Sequence, residues 1–137
     1  MYGNEGRQVR RERREAPVSE TETAQRCPFC RIAAGTLPSE QIYHDETVVG
    51  FRDLNPQAPL HVLVIPRRHV RGINAPEAED GALLAAMVRA ANQIAREQGV
   101  AESGYRLVWN VGPDAGQSVF HLHLHVLGGR QFGWPPG

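Results

Sequence analysis

Polar and apolar residues alternate over residues 121–127, which read His-Leu-His-Leu-His-Val-Leu. A period of two is the strand period, so the pattern predicts a β-strand over residues 120–127. Side chains at positions i, i+2 and i+4 of a strand share one face and stand about 7 Å apart. We therefore expect the imidazoles of His121, His123 and His125 to project together, with the intervening aliphatic side chains in the core.

A helical period occupies residues 76–98. Its apolar stripe, which we expect to face a core, consists of Leu83, Met87, Ala90 and Ile94. Pro76 suits a first helical turn, and Gly99 is the expected stop. A short helix is predicted over residues 27–35, and strands over residues 41–44, 47–52, 61–65 and 105–110. Together these elements predict an α+β fold, with helices on one face of an antiparallel sheet.

Residues 1–24 differ in composition from the rest of the chain. They hold five arginines and five glutamates and almost no large apolar residue. Such a segment cannot bury enough apolar surface to fold, so we predict a disordered charged tail over residues 1–24. The remaining length, residues 25–137, fits one globular domain.

Composition excludes several classes of function. The net charge is zero and the pI is about 7.0, which argues against nucleic acid or a membrane surface as a partner. The sequence shows neither an apolar run of about 18 residues nor the apolar core of a signal peptide, so we expect a cytoplasmic protein. The chain has no lysine, which excludes a Walker-type phosphate lysine and a Schiff-base lysine.

Two chemistries fit three imidazoles on one strand face, if that face is not simply solvated. Three histidines can hold a catalytic zinc that keeps an open fourth position. Alternatively, one neutral imidazole attacks phosphorus, provided that an acceptor fixes its tautomer and donors surround the phosphoryl oxygens. The glycine-rich turn at residues 112–118 can supply such donors.

Cys27 and Cys30 form a CxxC pair. In a cytosolic chain this spacing favours metal or redox chemistry over a structural disulfide. The pair supplies only two of the four ligands of a closed zinc site. Reduced thiols without a metal, and a redox pair, remain alternatives at this point.

The sequence resembles the histidine triad (HIT) family of nucleotide hydrolases and transferases, and within it the Hint branch. The resemblance runs from about residue 27 to residue 137 and rests on residues 53–61, 64–69, 116–120, 121–127 and 128–137, the last ending in Trp-Pro-Pro-Gly. It implies a five-stranded antiparallel sheet with one long and one short helix, and a homodimer. The expected dimer surfaces are the apolar stripe of the long helix and the sheet edge at residues 105–110, with the partner's Trp134 region closing the pocket.

The resemblance also implies catalytic roles for the histidine segment. His123 would attack the α-phosphate of a nucleotide and form a nucleotidyl-histidine intermediate, which water would hydrolyse. His125 would contact the phosphate, and Ser118 would hydrogen-bond near the leaving group and help to protonate a departing amine. His121 is the third member of the implied catalytic set.

The same resemblance implies a nucleotide site. Asn110, Gly116, Gln117 and Ser118 would hold the phosphate and ribose together with His123 and His125. Asp53 would accept hydrogen bonds from the ribose hydroxyls. Phe29, Phe51 and Leu54 would line the base pocket, although each is also an ordinary core residue type. The remaining histidines, His44 and His61, are expected to be a surface residue and a packing residue.

The implied activity is hydrolysis of the P–N bond of purine nucleoside 5′-phosphoramidates, with adenosine preferred, releasing the nucleoside monophosphate and an amine. A nucleotide-binding sensor with little turnover, another HIT reaction on dinucleoside polyphosphates or by nucleotidyl transfer, and a triple-histidine metal hydrolase are the alternatives. By resemblance, His69 and His121 would complete a structural zinc site with Cys27 and Cys30. No organic cofactor is expected.

Overall fold

The computed structural model describes residues 19–137, and its frame is a five-stranded, wholly antiparallel sheet. The strands are β1 (Gln41–His44), β2 (Val48–Arg52), β3 (Leu60–Pro66), β4 (Tyr105–Val108) and β5 (Leu124–Gly128). Their order across the sheet is β1-β2-β3-β5-β4, so β3 is the central strand. The predicted α+β class and five-stranded antiparallel sheet are confirmed.

Three α-helices accompany the sheet: α1 (Glu20–Arg26), α2 (Pro28–Ala34) and α3 (Gly81–Glu97). Cys27 is the N-cap of α2, and its sulfur accepts a hydrogen bond from the backbone N–H of Cys30. Gly35 ends this helix in the left-handed conformation, at a φ of 79° that favours glycine. No helix among residues 19–137 is long and apolar enough to cross a membrane.

The last residues of the predicted tail, residues 20–24, belong to α1, which begins at Glu20. Ser19 caps this helix through its side chain, and acidic residues in the first turn suit the positive end of the helix dipole. Local capping therefore forms a helix that buries none of its own residues. The rest of the predicted tail, residues 1–18, lies outside the described residues.

The long helix begins later than predicted. Residues Pro76–Glu79 form a separate 3₁₀ turn, and α3 starts at Gly81. Asp80 divides the two elements because its backbone is extended, and its carboxylate accepts hydrogen bonds from the N–H groups of Ala82 and Leu83. An N-cap placed there restarts the helix.

The histidine strand is also shorter than predicted. Regular pairing begins at Leu124, so His121 and His123 precede β5 and only His125 lies within it. Alternation nevertheless persists, because Leu122, Leu124 and Val126 are all buried. The aliphatic side chains of the segment therefore still share one side, although hydrogen-bonded strand pairing does not extend over the whole segment.

The two faces of the sheet bury separate cores, one under α2 and one under α3, so the prediction of helices on one face only is wrong. The larger core packs α3 against Val62, Val64, Leu124 and Val126, together with other small and aliphatic residues. The smaller core lies under α2 and contains Phe29, Ile32, Val49, Phe51, Leu63 and Ile65. All histidines of the candidate site lie on the α2 face or at its edge.

The apolar stripe of the long helix cannot be the predicted dimer surface. Leu83, Met87, Ala90 and Ile94 are almost completely buried against the sheet of their own protomer, so they cannot face a partner. The helix has a single strongly apolar stripe, and this stripe packs against the sheet of its own protomer. The β4 edge stays a predicted contact surface.

The N-cap of α3 provides a test of the revised boundary. We expect Asp80→Ala to lower the free energy of unfolding by about 1 kcal/mol, because two backbone donors lose their partner. Asp80→Asn keeps a capping oxygen and should stay close to wild type. Urea unfolding followed by circular dichroism measures both variants. Equal losses in the two variants would contradict the capping role.

Candidate active site and metal centre

A cavity of ≈ 400 Å³ opens on the α2 face of the sheet. Its walls include nine predicted nucleotide-site residues: Phe29, Phe51, Asp53, Leu54, Asn110, Gly116, Ser118, His123 and His125. Phe29 and Phe51 are buried and pack edge to face at 5.5 Å, whereas Leu54 is 98% exposed. The cavity thus combines an apolar slot with a polar end, which is the usual composition of a small-molecule site.

His123 presents one ring nitrogen to this cavity in a fixed tautomer. Its Nδ1 lies 2.7 Å from the backbone carbonyl oxygen of His121. A carbonyl can only accept, so Nδ1 carries the hydrogen and Nε2 keeps its lone pair. The ring of Phe29 packs edge-on against the imidazole at 5.2 Å. In the tautomer that this bond selects, Nε2 of His123 is the free nucleophilic nitrogen.

A second hydrogen-bonded chain fixes His125. The backbone N–H of Gln57 donates to Nδ1 of His61 at 3.0 Å, which leaves the hydrogen of His61 on Nε2. That nitrogen donates to Nδ1 of His125 at 2.9 Å, so His125 carries its hydrogen on Nε2. Nε2 of His125 lies 3.4 Å from the side-chain amide nitrogen of Asn110, which also donates, so the two groups do not bond each other and both hydrogens stay available to the cavity. His125 therefore has a donor at the polar end of the cavity.

Burial keeps this pair of histidines neutral. It lowers the pKa of His125 to about 4, with the neighbouring His123 and His61 acting in the same direction. Burial also lowers the pKa of His61, although the Asp53 carboxylate at 3.5 Å from its Nε2 opposes the shift. Neutral rings are required for the donor and acceptor roles just described.

Sequence reasoning does not place His61 in the site. Its position at the start of a buried strand predicts a packing residue, and it is indeed buried, but it also bonds His125. In the register of β3 with β5, Leu63 faces His125 and His61 faces Leu127, so His61 and His125 are diagonal neighbours on one face. The sequence signal that could have drawn attention to His61 is that it is the one polar residue in an otherwise apolar strand.

Gln117 does not line the cavity but supports its loop. Its Oε1 accepts from the N–H of Gly112 at 2.9 Å, and its Nε2 donates to the carbonyl of Val119 at 3.4 Å. These bonds close the turn that carries Gly116 and Ser118 to the cavity wall. Gly116 has a φ of 83°, a conformation that glycine adopts without strain.

His121 also lies outside the cavity wall, in a cluster with Cys27, Cys30 and His69. The four potential ligand atoms all lie within 4.8 Å of one another. Nδ1 of His121 is 3.3 Å from the sulfur of Cys27 and 3.4 Å from that of Cys30, and Nδ1 of His69 is 3.3 Å from the latter sulfur. The structure therefore brings together all four predicted metal ligands.

The donor set fits a tetrahedral zinc ion. Zn–S and Zn–N bonds of about 2.0–2.3 Å place neighbouring ligand atoms of a tetrahedron about 3.5 Å apart, close to the observed separations. Nε2 of His121 donates to the carbonyl of Pro66 at 2.9 Å, so Nδ1 keeps its lone pair for the cluster. Burial beside Cys27 raises the pKa of the Cys30 thiol to about 12, so a cation is needed to stabilise its thiolate.

The neutral His61–His125 pair predicts how stability depends on pH. In the folded protein the pKa of His125 is lowered from 6.5 to about 4, so the unfolded chain binds more protons between these values. The free energy of unfolding should therefore rise with pH across this window and level off above it. His125→Gln should flatten the rise in urea unfolding measured at a series of pH values. An unchanged slope would contradict the neutral, buried state of His125.

Comparison with known proteins agrees with this site. The HIT domain family model matches residues 34–132. An uncharacterized HIT-like protein of Synechocystis sp., slr1234, is 45% identical over 109 residues, or 80% of this chain and 95% of that protein. The crystal structure of a HIT family hydrolase from Legionella pneumophila is 48% identical, with a TM-score of 0.78 over 81% of this chain and 99% of that one.

A second solved structure bears on the metal centre. It is a zinc-bound histidine triad family protein from Mycobacterium smegmatis, 35% identical, with a TM-score of 0.65 over 83% of this chain and 81% of that one. The family model covers most of the described residues, including the histidine segment and the cavity walls outside α2. The chain therefore belongs to the HIT family.

Proposed function

We propose that this protein hydrolyses purine nucleoside 5′-phosphoramidates, with adenosine preferred, through a covalent nucleotidyl-histidine intermediate. The observation that carries the proposal is the tautomer of His123, whose Nε2 lone pair stands at a cavity of nucleotide size. The likeness to a HIT family hydrolase supports hydrolysis in general. The choice of a phosphoramidate and of adenosine follows from the resemblance to the Hint branch.

In this mechanism the cavity orients the substrate before reaction. The base lies against the cavity wall formed by Phe29 and Phe51, with Leu54 at its exposed rim. Asp53, whose carboxylate also accepts from the backbone N–H of Asn55, accepts from the ribose hydroxyls. The N–H groups of the Gln117-supported turn and Nε2–H of His125 donate to the phosphate oxygens.

The reaction then proceeds in two displacements at phosphorus. Nε2 of His123 attacks the α-phosphorus, the P–N bond breaks, and Ser118 assists proton delivery to the departing amine. The phosphorylated ring is cationic, and the carbonyl of His121 stabilises it through the Nδ1–H bond. Water next attacks phosphorus, the P–Nε2 bond breaks, and the nucleoside monophosphate leaves with His123 restored.

We further propose that Cys27, Cys30, His69 and His121 hold a structural zinc. When bound, the metal would stabilise both thiolates and tie α2 to the segment that precedes β5. His121 then belongs to the metal centre and not to the cavity. A cytoplasmic homodimer, with the exposed Trp134 region of one protomer near the cavity of its partner, completes the proposal.

Loss of the nucleophile should abolish turnover without abolishing binding. We expect His123→Ala to reduce release of AMP from adenosine 5′-phosphoramidate by about a hundredfold or more, the scale of a lost catalytic group. His44→Ala, an exposed histidine at the end of β1, is the matched control and should retain wild-type rates. AMP affinity, measured by calorimetry, should persist in all three proteins.

Two outcomes would overturn the mechanism. Turnover by His123→Ala at the wild-type rate would show that another group attacks phosphorus. A wild-type protein that binds AMP but releases none from the phosphoramidate would be a nucleotide-binding module, and parallel assays with a dinucleoside polyphosphate would identify a different HIT reaction.

The metal centre has its own test. Protein purified without chelator should contain about one equivalent of zinc by elemental analysis, because four preorganised ligands bind zinc tightly. Cys30→Ala should lose most of this zinc, whereas His44→Ala should retain it. Less than about a tenth of an equivalent in the wild type would contradict a zinc centre of this composition.

A further inference from the structure

We propose that zinc enters and leaves the Cys2His2 centre through a second cavity, and that His69 is the ligand that opens this route. The inference rests on the zinc proposed above and does not depend on the phosphoramidase activity. It gives a role to α1, a helix that no step of the proposed reaction uses.

The second cavity has a volume of ≈ 750 Å³ and borders the cluster. Its walls come from α1, α2, the residues that follow β3 and the 3₁₀ turn. Two of the four cluster residues, Cys30 and His69, line this cavity, and neither lines the cavity of His123. A space of this size admits a hydrated metal ion or a small chelating molecule. The cluster is therefore within reach of solutes that never enter the nucleotide site.

The two histidines of the cluster differ in how firmly the fold holds them. His121 is fully buried, and its Nε2 donates to the carbonyl of Pro66 at 2.9 Å. His69 is exposed, and its Nε2 has no hydrogen-bond partner among residues 19–137, although its Nδ1 lies 3.3 Å from the sulfur of Cys30. A bond to the second ring nitrogen is what usually orients a histidine ligand. His69 is therefore the cluster histidine that can turn toward the cavity.

The charges on the cavity wall favour a cation. The carboxylates of Glu20 and Glu77 line the cavity and form no ion pair with another residue of the described chain, residues 19–137. Two arginines also line it, but Arg67 donates to backbone carbonyls and Arg68 is paired with the carboxylate of Asp80 at 3.2 Å. The carboxylates therefore stay available to attract a divalent cation toward the cluster.

One wall of the route is built by α1. This helix buries none of its own residues, yet Glu20, Thr23 and Ala24 line the cavity. The helix also precedes residues 34–132, the part of the chain that the HIT domain model matches. The route is therefore partly the work of a segment outside that match.

Filling the cavity should slow metal exchange in the full chain. Ala24→Trp and Ala34→Trp each add a bulky ring to the wall, one from α1 and one from α2, without replacing a ligand. Ala85→Trp is the matched control, because Ala85 is an exposed alanine of α3 that lines neither cavity. We expect the two cavity variants to take up zinc, and to release it to EDTA, about tenfold more slowly than wild type, which corresponds to a barrier about 1.4 kcal/mol higher. The control should keep the wild-type rates.

A change of charge tests the same route without added bulk. Glu77→Gln should slow zinc uptake about threefold at low ionic strength, and added salt should remove the difference, because screening weakens the attraction. Glu79→Gln lies in the same 3₁₀ turn but does not line the cavity, so it should match wild type. Stopped-flow fluorescence with a zinc indicator follows uptake. Elemental analysis should still find about one equivalent of zinc in every variant, since all four ligands remain.

Three results would overturn the route. Tryptophan variants that exchange zinc as fast as Ala85→Trp, together with a Glu77→Gln variant that matches Glu79→Gln, would place the path elsewhere. A metal-free wild type that circular dichroism shows to be unfolded would acquire zinc during folding and not through a cavity. A wild type that takes up no zinc would remove the metal centre itself.

These results stay distinct from the fate of the proposed hydrolysis. Release of AMP from the phosphoramidate is measured separately, and its absence would leave the exchange rates unchanged. If one tryptophan variant does not fold, the other variant and the comparison of Glu77→Gln with Glu79→Gln decide the route.

Discussion

The central strand β3 is the constraint on which both sites depend. All seven of its residues are buried, and it pairs with β2 on one side and β5 on the other. Buried backbone and side-chain polar groups must find partners, because unsatisfied groups cost free energy in the interior. At one end of β3 the ring of His61 bonds His125, and at the other end the carbonyl of Pro66 accepts from His121. The hydrogen bonds that satisfy the polar groups of β3 therefore place one histidine at the cavity and another at the metal cluster.

Each histidine of the triad owes its protonation state to a different acceptor or donor. The His121 carbonyl fixes His123, the Pro66 carbonyl fixes His121, and the Gln57 N–H acts on His125 through His61. A neutral imidazole has one donor and one acceptor, so each such bond decides what the other nitrogen can do. In the proposed function, three chemically identical side chains thereby acquire three roles: nucleophile, donor to the substrate, and metal ligand.

The two faces of the sheet differ in role: one mainly stabilises the fold, and the other carries the cavity. The α3 face carries the larger apolar core and no residue of the cavity. The α2 face carries a smaller core whose phenylalanines also form the slot for a ligand. Asp53 and His61 stand at the same polar end, which links the proposed ribose contact to the histidine chain. The helix of seven residues that covers this face has Cys27 and Cys30 at its N-terminal end, where their sulfurs lie against His69 and His121.

The sequence by itself determined the α+β class, the buried stripe of the long helix and the sidedness of the histidine segment, because each depends on a local period of apolar residues. Its motifs also indicated the HIT family, the cavity residues and the four ligands of the cluster. Only the tertiary structure decided that Nε2 of His121 bonds the carbonyl of Pro66, that His61 bonds His125, and that β5 begins at Leu124. The two hydrogen bonds join residues that are 55 and 64 positions apart in the sequence. The start of β5 depends on where its pairing with β3 ends. A local pattern contains no information about such partners, so the protonation states of the site emerge only with the folded sheet.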